Sequence, residues 1–532
     1  MPIKPIRRPV VSASPGRSSS DRPAADRAPS DRSYQPDRTD RTARSDAPGR
    51  SDTRYAGPGD RTPRRQPDSR PESQDRGPRS PRPQRGQFEQ AVSGNRSVLS
   101  ADRPVALYLP CPVGVEALLH EEVARILGPE VMVQPSRGGV EVQARQQADL
   151  IEHAMRLNLE SRLAQRVLWR VASRVYRHED DIYAVGRTIR WSEWITPRHT
   201  IRVDVTSRNS PLRSLNFAGL RIKDAVCDDL REATGERPDV DTRFPDMGLV
   251  LHLDDMTATL YVDTSGEALF KRGWREDKGE APLKETLAAA MLAAAGWQGR
   301  PEDGALLDPC CGAGTIPIEA AQIACDIAPG LLRRFAFEKL LPFRGHLGAW
   351  QAMRQAAKLR QRAPQVPIYA GDVSFRMTDF STRNAQRAGV LHAIEFKTAD
   401  ALQRPTPCER GIMMFNPPYG ERIDPKGSVK SRGQRYDSEE DYEDPAPRAG
   451  REQFQDDEAN DFFLRLAAHW KRQYAGWTAW VLSPDMKLPG AMHLKESRRV
   501  VLFNGPIECR LFKFDLTAGS HKKAASTGGD ES

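Results

Sequence analysis

The spacing of hydrophobic and polar positions predicts two globular regions that follow each other along the chain. Between residues 104 and 263, alternating stretches typical of half-buried strands are mixed with apolar positions at helical spacing. The predicted strands cover 105–109, 201–205, 249–253 and 258–262, and the predicted helices cover 115–127, 148–171 and 217–230. We therefore predict an α+β fold for this region, in which the last two strands form a hairpin.

After residue 264 the pattern changes to strands that alternate with helices, which is typical of a mostly parallel, doubly wound α/β sheet. The predicted strands cover 305–307, 368–370, 394–397, 412–415 and 478–482, and an antiparallel hairpin at the sheet edge is predicted over 500–503 and 509–514. Residues 424–457 interrupt the pattern with a charged segment that contains Gly and Pro, and we expect a mobile loop there. Residues 517–532 are expected to be a flexible tail.

The first 103 residues differ from the rest in composition and charge. They contain 22 Lys and Arg against 13 Asp and Glu, whereas residues 104–532 contain 58 against 59. Their Asp-Arg repeats, Pro, Ser and Gly cannot bury enough apolar surface to offset the entropy lost on ordering. We expect a disordered tail, for which two interpretations stay open. It is either an Arg-rich tether that loosely holds a polyanion such as RNA, or a solubilising linker without a target.

Composition argues against several classes of protein. The chain has no run of about eighteen uncharged apolar residues, and no basic start followed by an apolar stretch and a cleavage site. We therefore expect neither a membrane protein nor a secreted one. The seven cysteines include no C-x-x-C pair, which argues against a disulfide framework and a zinc ribbon. These observations favour a cytoplasmic protein without a metal site.

The first predicted strand of the second region runs into a glycine-rich turn and then into an apolar helix. The segment D-P-C-C-G-A-G-T begins at Asp308 and places Cys310, Gly312 and Gly314 in the turn. Because glycine has no Cβ, such a turn lets a ligand approach the backbone closely. The segment lacks the ending of a phosphate loop and the third glycine of a dinucleotide fingerprint. Alone, it is equally compatible with a tight turn that binds nothing.

Two further acids lie at predicted strand ends. Asp372 closes the second strand, where a carboxylate can accept hydrogen bonds from a ribose diol, and Asp400 follows the third strand, where a carboxylate can accept from an adenine amino group. Each acid alone is also compatible with a solvated cap at a strand end. Three acids at successive strand ends make a nucleoside-like cofactor the better explanation.

The fourth strand of this region ends in N-P-P-Y, formed by Asn416, Pro417, Pro418 and Tyr419. Consecutive prolines fix the backbone and remove donors. The Asn416 side-chain oxygen and the Pro417 carbonyl are therefore predicted to hold both hydrogens of an exocyclic amine, and Tyr419 to stack on a flipped base. The segment alone is also compatible with a Pro-rich turn after a strand. Beside the three acids, the catalytic interpretation is favoured.

These segments together resemble a known family. The turn from Asp308 to Gly314 is similar to motif I of class I S-adenosylmethionine-dependent methyltransferases, and N-P-P-Y is similar to the motif of enzymes that methylate planar amino groups. Residues 273–291, the extension N-P-P-Y-G-E-R and residues 502–512 are similar to segments of THUMP-containing RNA methyltransferases. The resemblance covers about 410 residues and is strongest to the N-terminal half of bacterial 23S rRNA guanine-N2 methyltransferases.

The resemblance implies a fold and a cofactor. Residues 264–516 would form a Rossmann-like class I methyltransferase domain that binds S-adenosylmethionine, and residues 104–263 would form a ferredoxin-like piece and a THUMP RNA-binding domain. The implied cofactor-binding residues are Asp308, Gly312 and Gly314, with Cys310 in the same turn, at the methionine end, Asp372 at the ribose and Asp400 at the adenine. Asn416, with the Pro417 carbonyl, would orient the target amine.

Four basic residues of the THUMP-like region are candidates for contact with RNA. They surround residues 209–211 and Phe217, and they are Arg208, Arg213, Arg221 and Lys223. Two interpretations stay open for them. They either contact phosphates, which would position RNA without reading its sequence, or they form an ordinary solvated helix surface.

The resemblance implies methylation of the N2 amine of a guanine in 23S rRNA, as free RNA or within an assembling large ribosomal subunit. The alternatives are an adenine-N6 methyltransferase acting on RNA or DNA, a glutamine-N5 protein methyltransferase, and a non-catalytic ribosome-assembly or RNA-binding factor. The THUMP-like region favours RNA. Enterobacterial relatives carry a second domain that makes 7-methylguanosine, and we do not expect that activity here. The 1–103 tail and the 424–457 insertion have no counterpart in the family.

Overall fold

The computed structural model describes residues 105–144, 146–279, 282–417 and 456–517. The predictions for the N-terminal tail, for the C-terminal tail beyond its first residue and for nearly all of the insertion lie outside these residues. The last two residues of the predicted insertion begin a helix. No helix in this part of the chain has both the length and the apolar character that crossing a membrane requires.

Eight strands of the N-terminal region form one continuous sheet. In chain order they are β1 (Val105–Pro110), β2 (Met132–Ser136), β3 (Gly139–Ala144), β4 (Leu168–Val175), β5 (Thr200–Ser207), β6 (Asp239–Val240), β7 (Met247–Leu253) and β8 (Thr257–Asp263). Their order across the sheet is β2-β3-β1-β4-β8-β7-β5-β6. β4 is central, because it pairs with β1 on one side and with β8 on the other. The predicted hairpin is confirmed as the antiparallel pair β7 and β8.

Four helices accompany this sheet. They are α1 (Glu116–Leu127), α2 (Gln147–Glu160), α3 (Glu179–Gly186) and α4 (Leu215–Thr234). α4 begins where the Ser214 hydroxyl accepts a hydrogen bond from the backbone N–H of Phe217, and it ends at Gly235, whose φ of 82° is a left-handed cap. The predicted helices over 115–127 and 217–230 are therefore confirmed.

The predicted helix over 148–171 is wrong in its second half, because α2 ends and β4 begins within that range. The buried carboxylate of Glu122 ends α2. It accepts hydrogen bonds from the hydroxyl of Ser161 (2.7 Å) and from the backbone N–H groups of the next two residues (2.9 and 3.2 Å). Leu168 and Trp169 at the start of β4 are both buried. The alternation that identifies a strand is absent there, and periodicity alone cannot separate the strand from a helix.

Seven strands form the second sheet. They are β9 (Ala305–Asp308), β10 (Ile368–Asp372), β11 (Ile394–Thr398), β12 (Gly411–Phe415), β13 (Thr478–Ser483), β14 (Arg498–Asn504) and β15 (Ile507–Asp515). Their order is β11-β10-β9-β12-β13-β15-β14. β9 to β13 are parallel, and β15 runs antiparallel between β13 and β14. The predicted parallel sheet with an antiparallel hairpin at its edge is confirmed.

Helices cover both faces of the second sheet, as a doubly wound fold requires. They are α5 (Glu285–Ala295), α6 (Thr315–Ala324), α7 (Leu347–Leu359), α8 (Phe375–Arg387), α9 (Asp456–Gln473) and the short α10 (Leu488–Ala491). Leu306 of β9 packs with the buried residues of α5 and α6. The next residue, Leu307, packs on the opposite face with Leu466 and Trp470 of α9. Strands buried on both faces explain why these segments read as continuous apolar runs.

A buried ion-pair network fastens the first region to the second. The Glu319 carboxylate of α6 is fully buried and lies 3.1 Å from Nη1 of Arg162, which follows α2, and 3.0 Å from Nε of Arg272, which precedes α5. Arg272 also donates to the carbonyl of Arg162 at 2.7 Å. Burial lowers the pKa of Arg162, and the charge of Glu319 opposes that effect. One buried carboxylate therefore pairs with two guanidinium groups from different segments.

Replacing Glu319 by alanine should destabilise the protein by about 3–5 kcal/mol, because the guanidinium groups of Arg162 and Arg272 lose the carboxylate that they share. Urea unfolding followed by tryptophan fluorescence measures this change. The matched control is Glu152→Ala, which removes an exposed i,i+4 pair with Arg156 (2.9 Å) and should cost no more than about 0.5 kcal/mol. Equal unfolding midpoints for the two variants would contradict a stabilising role for the network.

Candidate active site at the carboxyl edge of the second sheet

The strand order of the second sheet reverses beside β9. β10 and β11 lie on one side of β9, and β12 lies on the other. In open α/β sheets, ligands bind at the carboxyl edge where such a reversal occurs. Asp308 ends β9, Asp372 ends β10, and Asn416 directly follows β12. The structure therefore brings three of the predicted site residues to the edge where a ligand is expected.

Asp308 is a buried acid at the centre of this edge, with 1% of its surface exposed. Its Oδ1 accepts a hydrogen bond from the backbone N–H of Cys310 at 3.1 Å. Burial raises the pKa of this carboxyl well above its ordinary value, the nearby charge of Asp372 raises it further, and the cation of Arg404 opposes the rise. A carboxylate in these surroundings is stabilised in its ionised form by a cationic ligand.

Asp372 connects β10 to the glycine turn. Its carboxylate accepts hydrogen bonds from the N–H groups of Gly312 (3.0 Å) and Ser374 (2.9 Å). Burial raises the pKa of Asp372, and these two bonds oppose the rise. A Cβ on Gly312 would meet no atom within 4 Å, so the space beside the turn is open. Gly314, at φ 89°, has no such space, because a Cβ there would lie 2.8 Å from the Cβ of Ser381.

Asp400 follows β11 and caps its own loop. Its carboxylate accepts from the backbone N–H of Leu402 at 2.9 Å and from the side-chain amide of Gln403 at 3.2 Å. The residue is half-buried. Asp400 therefore follows its strand as predicted, but both its oxygens already contact its own loop, and the contact with adenine stays a prediction.

Asn416 lies beside the glycine turn. β12 pairs with β9 in parallel register, and continuing that register sets Asn416 level with Cys310. Asn416 is half-buried and Pro417 is buried. Pro418 and Tyr419 lie outside the described residues, so the stacking role of Tyr419 stays a prediction.

The cysteines of the glycine turn are unsuited to act as nucleophiles. Burial raises the pKa of both Cys310 and Cys311 well above the ordinary value of a thiol, and the charges of Asp308 and Asp372 raise them further. A thiol with a raised pKa stays protonated at neutral pH and is weakly nucleophilic. The two residues are therefore packing elements of the turn.

Two buried side chains near the turn were missed in the sequence. Asn384 of α8 donates from its amide to the carbonyls of Ala313 (3.0 Å) and Asp277 (2.9 Å), which ties the turn to the segment before α5. Arg404 is 5% exposed, and its Nη1 has no hydrogen-bond partner among the described residues. The polar Ser381 and Asn384 lie one helical turn apart on the buried face of α8, and that spacing is a signal that the sequence did contain.

The four candidates for RNA contact form two groups. Arg208 and Arg213 are exposed and form no ion pair with any residue that the structure describes. Arg221 and Lys223 are half-buried on α4 and take part in ion pairs. These pairs are Arg221–Asp180 at 2.8 Å and Lys223–Asp224 at 3.0 Å. Contact of the four residues with RNA stays a prediction. The unpaired charges of Arg208 and Arg213 are more accessible to a phosphate than the paired charges of Arg221 and Lys223.

Three domain families match the chain in succession. Residues 106–168 match the RlmL ferredoxin-like domain, residues 176–263 match the THUMP domain, and residues 272–432 match the RMKL-like methyltransferase domain. The chain therefore joins ferredoxin-like and THUMP domains to a methyltransferase domain. The domain families and the fold class that the sequence resembled are confirmed.

Curated relatives are similar to most of the chain. The chain is 35% identical over 422 residues to the ribosomal RNA large subunit methyltransferase K/L of Shewanella amazonensis, covering 78% of this chain and 54% of the relative. It is 35% identical over 424 residues to the protein of the same name from Syntrophotalea carbinolica, with the same coverage. The chain thus spans about half the length of the curated relatives it matches.

Solved structures share the fold of most of the chain. A possible methylase from Clostridium difficile superimposes with a TM-score of 0.64 at 25% identity, covering 79% of this chain and all of that one. A predicted N6-adenine-specific DNA methylase from Listeria monocytogenes superimposes with a TM-score of 0.63 at 26% identity, covering 77% of this chain and 96% of that one. A putative methyltransferase crystallised with SAH has a TM-score of 0.64 at 22% identity, covering 79% of this chain and 100% of that one, and shows the fold.

Proposed function

We propose that this protein transfers a methyl group from S-adenosylmethionine to the N2 amine of a guanine in 23S rRNA. The observation that carries the proposal is the meeting of Asp308, Asp372 and Asn416 at the carboxyl edge of β9, β10 and β12. A cofactor site and an amine-binding site thereby share one edge. The rRNA methyltransferase relatives support rRNA as the substrate, and the THUMP domain supports recognition of RNA.

The residues at this edge fit the proposed cofactor. S-adenosylmethionine carries two cationic centres at its methionine end, and the buried Asp308 carboxyl is ionised more readily beside a cation. The open space beside Gly312 admits a ligand against the backbone. Asp372 is half-buried at the end of β10, the position at which a ribose diol finds an acceptor. The cofactor supplies an electrophilic methyl group on a positively charged sulfur.

The chain itself would orient the amine. A guanine N2 lone pair is delocalised into the ring, and it becomes nucleophilic when both hydrogens are held so that nitrogen leaves the ring plane. The Asn416 side-chain oxygen and the Pro417 carbonyl provide two acceptors for these hydrogens. Asn416 and the glycine turn follow the neighbouring parallel strands β12 and β9. Positioning of the amine against the cofactor methyl group would therefore supply most of the catalysis. The cysteines of the turn, whose pKa is raised by burial, take no part in it.

The proposed biological setting is rRNA processing in the cytoplasm. The substrate is 23S rRNA, either free or in an assembling large ribosomal subunit. The tail of residues 1–103 adds 22 basic residues before the RNA-binding domains, and an Arg-rich segment of this kind lends salt-sensitive affinity for RNA.

A second candidate function is methylation of adenine N6. The Listeria structure named as an N6-adenine-specific DNA methylase shares the fold at 26% identity. An adenine amine is also planar and needs the same two acceptors, so the described part of the N-P-P-Y motif serves either base. The THUMP domain favours RNA over DNA as the nucleic acid.

The experiment uses methyl-labelled S-adenosylmethionine with 23S rRNA and assembling large subunits from a strain that lacks this gene. The RNA is digested and the nucleosides are separated by chromatography. Label in N2-methylguanosine is the expected result. Label in N6-methyladenosine would show that the methylated base is adenine and that the class of reaction is the one proposed. Absence of label in every substrate would overturn the proposal in favour of a non-catalytic RNA-binding factor.

A further inference from the structure

A cationic cleft of about 580 Å³ lies in the methyltransferase domain, outside the candidate active site. One wall is the segment before α7, and the other is one face of α7. The residues of the α7 wall recur at helical spacing and are Gln351, Arg354, Gln355 and Lys358. The opposite wall contributes Leu332, Arg333, Arg334 and Glu338. The cleft thus contains four cationic side chains and one carboxylate.

The cations of this cleft lack ion-pair partners among the described residues, and Arg333 lies in the field of nearby acids, Glu267 and Asp263. Arg333, Arg334, Arg354 and Lys358 form no ion pair with any residue in the described ranges. The single carboxylate, Glu338, is engaged with its own turn, where it accepts a hydrogen bond from the backbone N–H of Phe335 at 2.9 Å. One carboxylate thus faces four cations in the described walls. An anion from outside would meet uncompensated positive charge.

A second cation-lined cavity, on α4 of the THUMP domain, provides a contrast. Its cations are paired internally, as Arg221–Asp180, Lys223–Asp224, Arg231–Asp228 and Arg237–Asp228. A phosphate entering that cavity would compete with carboxylates that are already in place. The cleft beside α7 offers similar side chains without these competitors, and it is the better phosphate site of the two.

Arg333 gives the cleft a rigid base. It is 8% exposed, its Nη1 donates to the carbonyls of Ala268 (2.8 Å) and Lys271 (3.1 Å), and its guanidinium lies 5.0 Å from the ring of Phe335. Arg354 donates to the carbonyl of Leu331 at 2.9 Å, which holds α7 against the opposite wall. Arg334 and Lys358 are exposed and make no such contact, so their charges are available to a ligand.

We propose that this cleft binds the phosphate backbone of the RNA substrate and forms a contact surface separate from the THUMP domain. The proposal rests on the proposed function, because the RNA is the substrate to be methylated. Residues 104–532 carry 58 basic against 59 acidic side chains, so a local excess of three positive charges stands out from a nearly neutral background. Phosphate contacts of this kind position RNA without reading its sequence.

The test is the double variant R334Q/K358Q, which removes two exposed cations and no described contact. Filter binding to 23S rRNA transcribed in vitro should show an apparent Kd raised about tenfold at low salt. The slope of log Kd against log salt should fall by about two, because about one counterion is released for each phosphate contact. At limiting RNA, kcat/KM should fall by a similar factor while kcat is unchanged. The Kd for S-adenosylmethionine and the melting temperature should stay at wild-type values.

The matched control is R472Q/K495Q, which removes the same charge from exposed positions near the amino edge of the second sheet. This control should bind RNA within twofold of wild type. If the two double variants bind RNA alike, with the same salt slope, the cleft is not an RNA contact. Failure of the wild-type protein to methylate any RNA would instead overturn the proposed function, and the comparison of binding slopes would still decide the role of the cleft.

Discussion

Replacing Asn416 by alanine should lower kcat by at least about 100-fold while the Kd for S-adenosylmethionine changes by less than about twofold. Asn416 follows β12 on the side of β9 opposite Asp372, so it can orient the amine without holding the ribose. Removal of one group that aligns or stabilises a transition state costs about 100-fold to 1,000-fold in kcat. Single-turnover methylation of rRNA and calorimetric titration of the cofactor measure the two quantities.

Asn416→Asp is the matched comparison for this prediction. Aspartate keeps an acceptor oxygen at nearly the same position, and this variant should retain at least about tenfold more activity than Asn416→Ala. A parallel loss of cofactor binding and turnover in the alanine variant would show that Asn416 holds the cofactor or the fold. Equal activities of the two variants would show that the acceptor oxygen is not what matters.

Replacing Asp372 by alanine should weaken binding of S-adenosylmethionine by about 30-fold. The variant loses the proposed acceptor for the ribose and the hydrogen bond from the Gly312 N–H, which holds the glycine turn against β10. Hydrogen bonds to a charged group contribute about 2 kcal/mol, which corresponds to about 30-fold in Kd. Calorimetric titration of the cofactor in the absence of RNA measures the effect directly.

Asp379→Ala controls for the loss of an acid near this position. Asp379 lies about one turn into α8, on its exposed side, and pairs with Arg383 at 3.0 Å on the surface. Its replacement should leave the Kd for the cofactor within about twofold of wild type. An unchanged Kd for the cofactor in Asp372→Ala would show that Asp372 does not bind the cofactor and serves only to cap its strand.

The strands of the second sheet could be predicted from the sequence because both of its faces are buried. Parallel strands under helices are apolar throughout, and each predicted strand here lies inside the observed one. The acids at the carboxyl ends of these strands could be predicted as neighbours because parallel strands end at the same edge of the sheet. Asp308 and Asp372 are joined through the glycine turn, as this reasoning implies.

The end of α2 could not be predicted in this way. The helix ends where Glu122, about 40 residues earlier in the chain, accepts hydrogen bonds from Ser161 and Arg162. The apolar residues beyond Ser161 keep a spacing that is compatible with a longer helix. The pairing of Glu319 with Arg162 joins residues 157 positions apart, and sequence spacing says nothing about such a contact. Arg404 is another case, because a lone arginine in a loop gives no sign that folding will bury it.

The central position of β4 has a consequence for how RNA can be chosen. The ferredoxin-like match ends at residue 168 and the THUMP match starts at residue 176, so β4 joins the two domains while pairing with a strand of each. Any swivel between them would break a ladder of backbone hydrogen bonds, and Glu319 fastens the joined sheet to α6. The ferredoxin-like and THUMP domains are thus held as one unit, and under the proposed function an RNA is selected when its own fold brings the target base to the active site while it contacts the THUMP domain.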